Sequence, residues 1–404
     1  MHERRIPEWL RHAPAPSVRG FAMLAGFEAV ARGILISVFP LMVYRALQDT
    51  QVVSQIYFFI GIVSLISGLL VPVVTRRVPR RWVYIIGALM FSVGSLITIT
   101  GTPAAVVVGL LLNTVGVVLT FVCFNAYVLD YISKIELGDC ETSRMFYSAL
   151  GWTVGPVLGV FLLKWWEPAP FLISALAILG MLGMFLFMRL GNGKLIVRAT
   201  ASSSNTLAYV PKFLRRRRLV AGWIFAVVRS SGWWVYVVYL PIFAVENGLS
   251  AELGGTVLSI TNATLFITPL MFRWIKHNSV KVAVRTGFLA SAMLFFLAYV
   301  VAEIPVFTVG VLMCGSFFLI LLDISGGLPF LLVVKPSERT EMSAIYSSYR
   351  DVSGIITPGA AWLVLLLAPI SGVFVLSGAA LLGAWGLAGQ LHPDLGRKRI
   401  RMQK

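Results

Sequence analysis

The 404-residue chain is 58% hydrophobic and only 13% charged, with a mean hydropathy of +0.86. Soluble domains carry about a quarter charged residues, so this composition excludes a soluble globular protein and leaves an integral membrane protein. A net charge of +17 raises the question of nucleic acid, which the placement of the charges answers.

Apolar runs predict twelve membrane-spanning helices, each near or above the roughly 20 residues that cross hydrocarbon. They cover 20–47, 51–75, 82–100, 103–131, 143–165, 168–189, 219–245, 252–272, 283–302, 304–334, 343–368 and 370–391. A polar, arginine-containing segment precedes the first run and no small-residue cleavage site follows it, so no cleavable signal peptide is expected. The first run holds Glu28 and Arg32, four residues apart and therefore on one helix face, one turn from each other. Ionisable groups at such depth are costly enough that a functional role is the default reading.

Numbered from a cytoplasmic N-terminus, the inner loops and tails hold 29 Lys and Arg, whereas the outer loops hold only Arg45 and Lys164. That asymmetry predicts a multi-pass protein with both termini cytoplasmic. The basic charge then reports topology and contact with anionic membrane lipid, not nucleic acid. Short outer loops and the lack of an exposed Asn-x-Ser/Thr sequon point to a bacterial inner membrane, since Asn262-Ala263-Thr264 falls inside the eighth span. Cys123, Cys140 and Cys314 are too scattered for a disulfide framework or a metal site.

The longest loop sets the domain division: a six-helix bundle at 1–190, a cytoplasmic linker at 191–218, and a second bundle with a basic tail at 219–404. The linker closes on Arg215 to Arg218, read as a topology anchor reaching the headgroups. Shifting the first half by 200 to 202 residues pairs Pro40 with Pro241, Arg81 with Lys281, Gly87 with Gly287, Lys134 with Lys335 and Pro156 with Pro358. This near-constant offset predicts a six-plus-six duplication of the kind transporters carry.

Two short stretches can be compared with known patterns. Between spans two and three, Pro72 to Arg81 places Arg77, Arg80 and Arg81 where a Gly-x-x-x-Asp-Arg-x-Gly-Arg-Arg motif has its basic residues, but Arg76 replaces the acid and prolines replace the glycines. In span five, Gly151, Gly155, Pro156 and Gly159 follow a Gly-x-x-x-Gly-Pro-x-x-Gly signature, with Thr142 and Val160 replacing glycines of its longer form. Glycines at four-residue spacing let a neighbouring helix approach closely, and Pro156 removes a backbone donor and can bend the helix. With twelve spans in two halves, the chain resembles the major facilitator superfamily. That resemblance implies an all-α fold of two pseudo-symmetric bundles, alternating access, and a central cavity lined by helices one, four, seven and ten. It also assigns gating to the two motifs and associates the second with exporters, though the second also reads as ordinary small-residue packing.

Six ionisable residues fall within spans: Glu28, Arg32, Arg229, Asp323, Arg350 and Asp351. Glu28 and Asp323 are the expected proton-carrying groups, because an acid beside a cation changes its affinity for protons between dry and wet surroundings. Arg32, Arg229 and Arg350 are the expected substrate contacts, joined by Trp233 and Tyr236 at helical spacing from Arg229, and by Asn113, Thr120 and Tyr127 on one face of span four. The competing reading is that the charges pair only to hold helices together and the neutral groups only pack. Asp130, near the end of span four, is expected to meet loop arginines.

His2, His12, His277 and His392 all fall in tails or loops, and Gly191-Asn192-Gly193-Lys194 lacks phosphate-loop spacing. No metal, cofactor or catalytic residue is expected, and the chain does not read as an enzyme. The expected function is secondary transport of a small organic solute, with proton-coupled export first and proton-coupled uptake of an anionic solute as the alternative. A membrane-embedded enzyme or lipid-handling protein stands a distant third. The expected partners are the solute, protons and membrane lipids, with the chain working as a monomer.

Overall fold

The computed structural model describes residues 17–132, 136–188, 206–327, 329–330, 334, 342 and 345–392. Its regular elements are all helical. The first six are α1 (Val18–Leu47), α2 (Thr50–Arg77), α3 (Arg80–Thr98), α4 (Pro103–Tyr131), α5 (Leu137–Trp165) and α6 (Ala169–Phe187). There follow α7 (Thr206–Leu214), α8 (Arg217–Trp234), α9 (Leu240–Glu246), α10 (Glu252–Ala263) and α11 (Thr268–Asn278). The chain continues with α12 (Val280–Val300), α13 (Pro305–Ser325), α14 (Tyr349–Leu365) and α15 (Ser371–Ala388).

Ten stretches among the described residues are long and apolar enough to cross a membrane. Large hydrophobic side chains such as Phe59, Leu69, Leu150, Leu176, Phe266 and Leu367 stand exposed, as a lipid-facing surface requires. The expected eighth span is broken: α10 gives way to a 3-10 turn at Thr264–Ile267 before α11 resumes and runs on to Asn278. Pro269 explains the break, because it has no N–H to offer the Leu265 carbonyl one turn back. The eleventh expected span yields the 17-residue α14. The tenth, expected at 304–334, is interrupted: α13 stops at Ser325 and a turn follows at Gly326 and Gly327. The seventh is a single crossing with a π-helical turn at Val235–Tyr239, in which the Leu240 N–H bonds to the Val235 carbonyl. Of the linker expected at 191–218, the segment up to 205, including Ser202 to Ser204, lies outside the described residues.

The chain forms two compact units. One contains α1, the part of α2 from Val63, and α3 to α6; the other contains the part of α2 up to Ile62 and everything from α7 onward. In the second unit α7 is anchored by Phe213, which is buried with Leu219, Phe330, Val334 and Met342. In the first, Ser174 of α6 donates to the Ala31 carbonyl and Ser148 of α5 to the Ala25 carbonyl. Both hydroxyls thus tie neighbouring helices to the stretch of α1 that carries Glu28 and Arg32.

Candidate functional site: two embedded acid and base pairs

Among the residues that the sequence singles out, each unit holds an embedded ion pair. In the first, Arg32 Nη1 lies 2.9 Å from Glu28 Oε1, the two side chains being 35% and 21% accessible. The Arg32 guanidinium also lies over the Trp152 ring, 5.2 Å from its centroid, a distance at which the ring face attracts a cation. Trp152 reaches this point because α5 presses its glycine face on α1. A β-carbon on Gly151 would stand 2.6 Å from the Ala29 carbonyl carbon, one on Gly155 2.5 Å from that of Gly33, and one on Gly159 would collide with the Ile34 carbonyl oxygen. The glycine signature and the Glu28–Arg32 pair are therefore two sides of one helix contact. Glu28 also lines a small crevice with Leu24 and Ala25 of α1, Tyr84 of α3, Thr120, Phe121 and Phe124 of α4, and Met181 of α6.

In the second unit, Arg229 of α8 approaches Asp323 of α13, with Nε 3.0 Å from Oδ1. The approach is an ion pair without hydrogen-bond alignment, since that buried Nε lacks an aligned acceptor. Trp233, one turn along α8, donates from its indole nitrogen to the other carboxylate oxygen at 2.9 Å. The Arg229 side chain is 9% accessible and Asp323 39%, so the carboxylate is presented and the cation sits behind it. Both Arg229 and Arg350 lie over the Tyr349 ring, at 5.2 and 5.7 Å, and Arg350 Nε donates to the Tyr349 hydroxyl at 3.1 Å. Arg350 is exposed and forms no ion pair with a carboxylate among the described residues.

Of the other expected contacts, Thr120 lines the Glu28 crevice and Tyr236 meets the Trp233 ring edge-on at 5.9 Å. Tyr236 is buried, its hydroxyl accepting or donating 2.7 Å from Thr261 Oγ1 of α10, which continues at 2.8 Å to Ser316 of α13. Asn113 is buried and donates to Ser95 of α3 at 3.4 Å, while Thr120 bonds back to the Gly116 carbonyl of its own helix. Tyr127 is buried against Tyr84 and Phe185. The polar face of α4 is thus turned into its own unit.

At the far end of that face, Arg80 pairs with Asp130 at 2.5 Å and covers the Tyr127 ring at 5.3 Å, which places Asp130 with a loop arginine as its position suggested. Arg81 lies over Trp82, and Arg77 is exposed. Pro156 lies inside α5, buried beside the glycine contact. Among the described residues no three His, Cys, Asp or Glu side chains gather as metal ligands.

Three features escaped the sequence reading. Arg144, at the very start of the fifth expected span, is not among the residues singled out there; α5 begins at Leu137, and Arg144 is a largely buried side chain over the Phe124 ring, paired with Glu141 and donating to Asn125 of α4. Trp152 and Tyr349 each sit beside a residue singled out, yet nothing in their spacing shows that they face guanidinium groups. The opening of α2 also proves to be bound to the second unit: Tyr239 donates to Ser54 at 2.9 Å, Thr50 bonds to Glu246, and a β-carbon on Gly61 would lie 2.6 Å from the Gly354 carbonyl oxygen.

Comparison with known proteins places this architecture. The family model described as Major Facilitator Superfamily matches residues 21–358. Among solved structures, the chain is similar to a nucleoside transporter, NupG, at 14% identity and a TM-score of 0.70, covering 93% of this chain and 100% of that one. A POT family transporter in complex with 5-aminolevulinic acid aligns at 12% identity and TM-score 0.73 over 94% and 96%. A D-xylose-proton symporter aligns at 14% and 0.65 over 94% and 98%. A search of curated proteins finds no match.

Proposed function

The chain belongs to the Major Facilitator Superfamily, and on that premise we propose that this multi-pass transporter exports a small organic solute by alternating access, in exchange for protons. The observation that carries the reading is the arrangement at Asp323. Its carboxylate is accessible, while the cation that stabilises its charge is buried behind it. A proton and a hydrogen-bond donor or cation on a solute are then alternative partners for the same oxygens. Binding one disfavours the other, which is the requirement for exchange. Glu28, held by Arg32 at 2.9 Å, supplies the corresponding carboxylate in the first unit. Replacing buried ion pairs by apolar residues is often neutral or stabilising, so stability alone is a weak reason to embed both pairs.

Arg350 favours a second reading, proton-coupled uptake of an anionic solute. It is exposed and held by a tyrosine hydroxyl and ring instead of a carboxylate, which leaves its charge available to a carboxylate or phosphate. Asn113, Tyr127 and Tyr236 are buried within their units, which leaves Arg32, Arg350 and Trp233 as the proposed solute contacts, with Arg229 acting on the solute through Asp323. The glycine face of α5, with Pro156, and the Arg77, Arg80 and Arg81 loop remain the proposed gating elements. The structural neighbours carry a nucleoside, a bound 5-aminolevulinic acid and a sugar in their names; such varied cargo on one fold does not narrow the solute here.

The test begins with a thermal-shift screen of solutes on purified protein, because a ligand that binds the folded state raises its apparent stability. The best solute is then followed in proteoliposomes under an imposed pH gradient. Solute leaving against incoming protons supports exchange, and solute and protons moving together support the second reading. Transport indifferent to the gradient overturns proton coupling.

A further inference from the structure

The second unit contains a pocket of about 290 Å³ lined by Arg217, Arg218 and Ala221 of α8, Pro329, Leu387 of α15, and Gln390, Leu391 and His392 just beyond it. It is distinct from the Arg229–Asp323 pair, none of whose residues line it. Its volume approaches the lower end of the range for small-molecule sites, and far exceeds the roughly 30 Å³ share of one liquid water.

The chemistry of the lining is one-sided. Two guanidinium groups, an imidazole and a carboxamide share the wall with alanine, proline and leucine side chains, and no carboxylate is among the described lining residues. Arg217 and Arg218 are exposed and neither forms an ion pair among the described residues. Leu219, the next residue, is fully buried with Phe213, so the first turn of α8 holds the arginines in place.

We propose that this pocket binds a phosphate group, with Arg217 and Arg218 as its principal ligands and the apolar wall accommodating the carbon skeleton attached to it. Guanidinium groups are matched to phosphate in both charge and fork geometry. The phosphate can belong to an anionic lipid headgroup or to a soluble phosphate, and these sources are separable by experiment. Of the four consecutive arginines at 215–218, only Arg217 and Arg218 line the pocket, so the proposal gives them a role that a uniform topology anchor does not.

The experiment is thermal unfolding of the full-length protein in an uncharged detergent, titrated with dioctanoyl phosphatidylglycerol, dioctanoyl phosphatidylcholine or inorganic phosphate. Phosphatidylglycerol is expected to raise the unfolding temperature, with its apparent affinity falling at least tenfold in Arg217→Gln/Arg218→Gln. The charge-matched control Arg215→Gln/Lys281→Gln should retain the response. Gln390→Glu, which places a carboxylate in the pocket while keeping both arginines, should lose it, and this variant serves if the double arginine variant does not fold. A response to inorganic phosphate with the same variant pattern would support the site and assign it to soluble phosphate. An equal response in all variants, equal responses to both lipids, or no response to either phosphate source would overturn the proposal.

Discussion

Gly155 of α5 sits against Gly33 of α1 so closely that a β-carbon on Gly155 would stand 2.5 Å from the Gly33 carbonyl carbon. Neither backbone can move aside without displacing Arg32, the residue before Gly33, or Trp152, which lies under its guanidinium. Gly155→Ala is therefore expected to force the helices apart at a cost of about 1–3 kcal/mol, the usual range for overpacking. Gly183 of α6 is the internal control, since an added β-carbon there meets nothing within 4 Å. Gly183→Ala should leave the unfolding temperature unchanged or raise it, given alanine's better helix propensity. Thermal unfolding of the two variants in detergent checks the contrast.

The unequal accessibility of Arg229 and Asp323 predicts an unequal response to losing either partner. Asp323→Ala strands a guanidinium that is 9% accessible, whereas Arg229→Leu leaves a carboxylate that is 39% accessible and still receives the Trp233 indole N–H. Removing one partner of a buried pair costs about 3–5 kcal/mol when the remaining charge has no compensation. Asp323→Ala should approach the lower end of that range, and Arg229→Leu should cost clearly less. Equal losses in unfolding temperature would contradict the idea that the carboxylate is the presented member of the pair.

What the sequence could and could not reveal follows the same physics. The apolar runs of α1 to α6 were readable because bilayer thickness imposes a length on each, and Glu28–Arg32 was readable because helix geometry pairs residues four apart. Arg229 and Asp323 are 94 positions apart in the chain, and no local rule says that α8 and α13 bring them together. The breaks at Thr264–Ile267 and after Ser325 did have local signals, Pro269 and Gly326–Gly327, but hydrophobicity continued through both and outweighed them. Arg144 stands at the edge of its apolar run, where a charge reads as part of the adjoining loop, and no local rule shows that α4 brings Phe124 and Asn125 against it. The side toward which α4 turns Asn113 and Tyr127 was also beyond reach, since seven-residue spacing defines a face but not its direction.

The opening of α2 is held by groups that single substitutions can remove cleanly. Tyr239 donates to Ser54, both residues being buried, so Tyr239→Phe deletes one hydroxyl while keeping the ring. A net intramolecular hydrogen bond contributes about 1 kcal/mol, and that is the loss expected from Tyr239→Phe. Ser54 also bonds back to the Thr50 carbonyl, so the pair must be separated by a double-mutant cycle with Ser54→Ala. Unfolding measurements on the four proteins should return a coupling near the same magnitude. Strictly additive losses would show that the two hydroxyls do not interact.

Glu28 provides the sharpest separation between a working charge and a structural one. Its pair with Arg32 is partly accessible on both sides, at 21% and 35%, so neutralising the acid does not strand a fully buried guanidinium. Arg32 keeps a second hold in the Trp152 ring when the carboxylate is neutralised. Glu28→Gln should therefore unfold within a few degrees of the unaltered protein while losing solute movement driven by a pH gradient, and it should retain solute exchange without one. Trp152→Leu should do the reverse of this for the gradient, keeping the dependence on pH but weakening solute affinity, because it releases the guanidinium without touching the proton site. If Glu28→Gln instead unfolds much earlier and the surviving protein responds normally to the gradient, the pair holds α1 in shape and the proton is carried elsewhere.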